Sequence, residues 1–161
     1  METIEYRTKD KSTWGDGPWQ NEPDKRQWQD PATGLACLIV RNHGCWCGYV
    51  GVPVGHPAHG KSYDESGDLE VHGGVTFAGE CSEGPEDSAI CHKPGPGEPD
   101  TVWWIGFDCN HAFDFDPERH ARYKDRGEIF KRFDDDVYRD ISYVTNEVTA
   151  LAAQLATVKA A

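Results

Sequence analysis

Apolar positions along the chain fall into a few blocks separated by long polar stretches. Leu35, Ala36, Cys37, Leu38, Ile39 and Val40 form one continuous apolar run, ended by Arg41-Asn42-His43-Gly44. A short apolar run closed by turn residues predicts a buried strand. Cys45, Trp46, Cys47, Tyr49, Val50 and Val52 predict its hairpin partner, and Leu69–Phe77 and Thr101–Phe107 two further strands. Val137, Ile141, Val144, Val148, Leu151, Leu155 and Val158 alternate steps of four and three, placing one apolar stripe along a helix over 134–160. Asp134, Asp135 and Asp136 would stand at its start, where the macrodipole favours anions.

Between these blocks the chain is rich in breakers. Residues 1–33 predict an irregular arm that lays Trp14, Trp19 and Trp28 against the domain, since indoles are costly to leave in water. Residues 53–68 and 79–100 predict long loops, and 117–133, with Tyr123, Ile129 and Phe130, a short helix or two. The expected architecture is one α+β domain over 1–161: the arm (1–33), an antiparallel or mixed sheet with long loops (34–133), and the C-terminal amphipathic helix (134–160). The 3.5-residue spacing of that helix suits packing on the sheet and also self-association, so a homo-oligomer through it stays open.

Composition narrows the function classes. The chain has 161 residues and a formal charge of −12. Phosphate contacts need Lys or Arg, so general nucleic-acid binding is not expected. No apolar run reaches the ~20 residues of a membrane span, and the N-terminal stretch has no signal-like apolar core, which points to a soluble, cytoplasmic protein without a membrane partner. In that compartment six Cys read as reduced thiols, and a Cys81–Cys91 bridge would be out of place. The negative charge is uneven: residues 61–100 hold ten acids and two bases.

Three constellations carry candidate chemistry. Asp108-Cys109-Asn110-His111, followed by Asp114, comes directly after the Trp103-Trp104 strand, a place where a sheet end holds polar side chains in position. Asp108, Cys109, His111 and Asp114 are candidate ligands for a divalent metal, zinc or magnesium, and His111 and Asp108 candidate catalytic groups. His72-Gly73-Gly74-Val75-Thr76 joins a third candidate catalytic residue, His72, to backbone N–H groups of Gly73 and Gly74 that suit an anion, with Thr76 beside them. Gly55 to Ser62 meets the phosphate-loop frame, yet no apolar helix follows, which leaves Lys61 as a simple anion contact. The expected pocket lies between the HGG segment and the DCNH loop, walled by Trp46 or by Trp103 and Trp104 and overlaid by 53–68. Other zinc donors are Cys81, Cys91 and His92, though no C-x-x-C pair occurs.

GPWxNEPD around Trp19, TGLxCLIVRN from Thr33, CGYVGVPxGHP from Cys47, VHGGVTFAGEC from Val71 and VWWIGFDCNHAFD from Val102 together resemble a family of small uncharacterised proteins of tailed phages and prophage-bearing bacteria. The resemblance covers about residues 17–148 and implies a phage setting, without an activity of its own. With the expected pocket, that setting leads to a small accessory protein that binds a nucleotide-like molecule or signal, with countering of host defence as the role the setting implies. Two alternatives stand beside it: a metal-dependent or His/Asp hydrolase acting on such a ligand, and an acidic protein that blocks a host protein through its surface.

Overall fold

A computed structural model describes residues 1–127 and 135–158. Six strands form one antiparallel sheet: β1 (Ile4–Tyr6), β2 (Lys25–Gln29), β3 (Ala36–Asn42), β4 (Cys45–Pro53), β5 (Phe77–Gly79) and β6 (Val102–Asp108). Their order is β1-β2-β3-β4-β6-β5. Helices α1 (Pro117–Asp125) and α2 (Ile141–Leu155) complete the α+β fold. No helix among the described residues is long and apolar enough to cross a membrane.

The continuous apolar runs become the two central pairs because both faces of those strands are covered. On one face Cys37, Ile39, Trp46, Val50, Val52, Ile105 and Phe107 pack with Val144, Val148, Leu151 and Leu155 of α2, joined by Leu69, Val71 and Val75. On the other, Leu38, Val40, Tyr49 and Trp104 are covered by Phe77, Cys81 and Ile90. The helix stripe is therefore spent on the sheet, with Val144, Val148, Leu151 and Leu155 fully buried. A dimer through that stripe would require undocking the helix.

Several expectations change. The arm is only partly irregular, since β1 and β2 extend the sheet, and Trp14 and Trp19 pack with Phe115 and Ala121 as a satellite core. Polar β2 gave no apolar signal because it buries Lys25 and Gln27: the Lys25 ammonium donates to the Glu86 carbonyl and the Gln27 amide to the Glu2 and Lys93 carbonyls. Strand character over Leu69–Phe77 shrinks to Phe77–Gly79, because the glycine pair turns the chain, with Gly73 and Gly74 at φ of 68° and 86°. The last helix starts at Ile141, not at 134: the Asp140 side chain accepts from the Tyr143 N–H, whereas Val137 lies outside it and is exposed. Asp134, Ile129 and Phe130 lie outside the described residues.

Cys81 and Cys91 form a disulfide, contrary to the expectation of reduced thiols. Their Cα atoms lie 4.7 Å apart across the loop that covers Lys25.

Candidate metal centre

At the ends of β4 and β6 two polar clusters flank the entry to α2. The first was not foreseen. Glu22, Asp24, Lys11 and Arg41 are all buried, Arg41 with its side chain wholly enclosed. Arg41 pairs with Glu22 at 2.7 Å and with Asp24 at 3.2 Å, and Lys11 reaches Asp24 at 2.7 Å. The guanidinium also stacks on Trp46, 4.1 Å from the ring centroid. Glu22 accepts from the Tyr138 hydroxyl, the Trp46 indole and the Ile141 amide, so it holds the first turn of α2. The sequence signal was Glu22-Pro23-Asp24 in a polar arm opposite Arg41, a lone base closing an apolar strand.

The second cluster brings together most of the sequence-predicted site. Asp114 is at its centre, its side chain 1% exposed. It accepts from His72 Nε2 at 2.7 Å, from the His111 amide at 3.0 Å and from Arg139 Nε at 2.9 Å. Burial works against its charged form, but the bonds from Arg139, His72 and the His111 amide outweigh it and hold the carboxyl below its usual range. The His111 imidazole lies beside it, Nδ1 at 3.7 Å from Asp114 and 3.8 Å from Asp108, with ring centroids of His72 and His111 5.5 Å apart.

His72, His111 and Asp114 each offer one donor atom, all within 4.8 Å of one another. His111 Nδ1 is buried without a hydrogen-bond partner, as are ring nitrogens of His59 and His92, but here the atom lies within 4 Å of two carboxylates. Asp108, about one-third exposed, is steered by the Thr76 hydroxyl at 3.1 Å and the Asn110 amide at 3.0 Å. Gly73 fits against His111: a Cβ there would sit 2.2 Å from the imidazole Cε1. Gly73 thus admits the imidazole ring to the site.

Three residues on the α2 side escaped the sequence reading. Tyr143 donates or accepts at His72 Nδ1, 2.9 Å away, and Glu147 accepts from the His72 amide at 2.8 Å. Arg139 completes the grip on Asp114. Tyr143 and Glu147 are four apart and flank the apolar stripe, the signal that could have revealed them.

Other predicted residues are elsewhere. Cys109 is buried in the core, 2% exposed, and burial pushes its thiol far up; it does not join the His72, His111 and Asp114 donor group. Trp104 is fully buried on the opposite face, against His92. Trp103 donates to the Lys61 carbonyl at the far end of β6, five residues or about 17 Å along the strand from Asp108. Lys61 is exposed in a loop whose His56 meets the Leu155 carbonyl, so 53–63 seals the C-terminal end of α2 and does not overlie the site. Trp46 is wholly buried beside Arg41 and walls nothing. The pocket expected from stacked indoles is not assembled. Cys81, Cys91 and His92 also cluster, but the two sulfurs are joined to each other and offer no thiolate.

Comparison of the chain with family models, curated proteins and solved structures finds no match. The arrangement must be read from its own chemistry: two imidazoles and a buried carboxylate close together, with His72 and Asp114 oriented from behind and a steered carboxylate alongside.

Proposed function

We propose that the protein is a metal-dependent hydrolase of a small nucleotide-like ligand, with His72, His111 and Asp114 holding a divalent ion of the zinc type. The observation that carries this reading is the His111 Nδ1 atom, buried without a hydrogen bond, 3.7 and 3.8 Å from two carboxylates, in a ring whose centroid is 5.5 Å from that of His72. Two His and one carboxylate with a fourth position open is a donor set of catalytic zinc sites, whereas magnesium prefers oxygen ligands. The outer contacts suit it, because the Tyr143 hydroxyl on His72 Nδ1 and Arg139 on Asp114 fix both ligands from behind.

Such an ion would lower the pKa of water at the open position and polarise the bond under attack. Asp108 is the residue placed to take the proton, since Thr76 and Asn110 aim a carboxylate that remains accessible. In the resting arrangement His72 has both ring nitrogens engaged, which leaves none free to act as the base; to serve as a ligand, its Nε2 would give up the proton it shares with Asp114. A cation also answers the charge problem, because a −12 chain repels an anionic ligand unless positive charge is supplied locally.

The phage setting and action in the host cytoplasm belong to the same proposal and rest on the motif resemblance. The Cys81–Cys91 bridge weighs against a reducing compartment. The test is turnover of bis(4-nitrophenyl) phosphate and of linear and cyclic nucleotides by the zinc-loaded protein. Turnover should vanish with a chelator, return with zinc, and fall at least a hundredfold in Asp108→Asn while zinc is retained. Zinc bound with no turnover of any of these esters would overturn the hydrolase reading.

A further inference from the structure

We propose that Phe113 is the specificity element of this centre, its ring stacking on a planar ring of the ligand whose anionic group the ion holds; the inference rests on the metal reading above. Residues 111–114 form a tight turn, closed by the Asp114 N–H donating to the His111 carbonyl at 3.1 Å. Both ends of that turn carry proposed ligands, and Phe113 occupies its third position with φ of +72°. A type II turn takes Gly or Asn there, because a Cβ at positive φ crowds the backbone. A bulky side chain in that conformation is uncommon and persists only where its surroundings fix it.

The surroundings do fix it. The Val137 N–H donates to the Phe113 carbonyl at 2.7 Å, and the Phe115 N–H to the Val137 carbonyl at 2.9 Å, so a β-bridge clamps the turn from the far side. Burial does not account for the phenylalanine, since it is 60% exposed. Strained backbone and exposed aromatic surface both oppose stability, and they coincide one residue from Asp114 and two from His111. Observed strain of this kind clusters at ligand sites.

The neighbouring chemistry indicates what the ring meets. Among the described residues the other aromatic rings near this centre are engaged: Tyr143 holds His72 with its hydroxyl and carries Arg139 over its face at 4.9 Å, and the indoles predicted to wall the pocket lie buried or at the other end of β6. Phe113 supplies a flat apolar surface without adding negative charge, and a planar ring is the ligand part that a phenyl face accepts with least dependence on other contacts. Exposed Val137, bridged to the same turn, extends the apolar edge.

The test compares two non-hydrolysable anions, phenylphosphonate and methylphosphonate, titrated calorimetrically into the zinc-loaded full chain. The native protein should prefer the phenyl compound by about three- to tenfold, the range aromatic pairing supplies. Phe113→Gly should bring the two within twofold of each other, keep zinc affinity unchanged and melt at a higher temperature, because glycine accepts the positive φ. Phe113→Tyr should retain the preference. No phenyl preference in the native chain, or one that survives Phe113→Gly, overturns the proposal, and in the second case the ring serves a protein surface instead. Failure of the native chain to take up zinc would sink the metal reading itself, an outcome distinct from either.

Discussion

The two polar clusters at the entry to α2 use similar residues to opposite ends. Around Arg41, each charge is buried and paired, with Glu22 and Asp24 as counter-ions, Lys11 on Asp24, and Trp46 under the guanidinium. Around Asp114, two imidazoles and two carboxylates crowd together with one ring nitrogen making no hydrogen bond, Asp108 partly open to solvent and a strained aromatic at the rim. The segment 138–143 joins them, with Tyr138 and the Ile141 amide on Glu22, Arg139 on Asp114 and Tyr143 on His72. The enclosed network fixes the fold, and the more open one beside it leaves room for a ligand. The difference lies in exposure, not in composition.

Substitutions should separate the clusters sharply. Arg41→Met leaves Glu22 buried without its counter-ion and Asp24 with Lys11 alone, and should lower unfolding free energy by about 3–5 kcal/mol, read from denaturant midpoints. Gly73→Ala should cost about 1–2 kcal/mol through its positive φ and also displace His111, with loss of zinc binding. Gly74→Ala meets no atom within 4 Å, so it should show the backbone cost while zinc binding survives. If the two alanine variants bind zinc equally, Gly73 is not shaping the site.

Acid titration sharpens the contrast further. Burial opposes ionisation of Asp24, yet bonds from Lys11 and from the Lys9 and Thr8 amides hold its carboxyl below the ordinary value. Its folded pKa is thus below its unfolded one, near 3.9. The stability it contributes is complete above about pH 4 and is lost as pH falls through the folded value. Denaturant midpoints should drop below that pH, and the drop should be shallower in Asp24→Asn. His111→Ala should produce the smallest stability change, within about 1 kcal/mol, because the ring is one-third exposed and its Nδ1 makes no hydrogen bond.

The chain displayed one half of this contrast better than the other. Periodicity exposed the central strands and the helix stripe because their apolar positions repeat with the geometry that buries them. His72, Asp108, His111 and Asp114 were legible as chemistry at strand ends, and the fold brings them together. Local pattern could not say which way Cys109 or Trp104 faces, because an alternating strand buried on both sides gives no contrast between faces. The Arg41 network was invisible for a related reason: Glu22, Asp24 and Lys11 sit in a polar arm that looks solvated until long-range pairing encloses it. The acidic stretch 61–100 also proved a poor guide. Its loop around Glu86 crosses the face opposite α2, where Tyr6, Lys25 and Lys93 meet it, while the carboxylates of the candidate centre come from 108 and 114.

The central claim, that the cluster around Asp114 holds an ion, is tested most directly by calorimetric titration of zinc into the native chain and into His111→Ala. The account predicts one saturable site per chain in the native protein, abolished by the substitution although the variant remains folded. Absence of saturable binding, or binding that His111→Ala leaves intact, would contradict it.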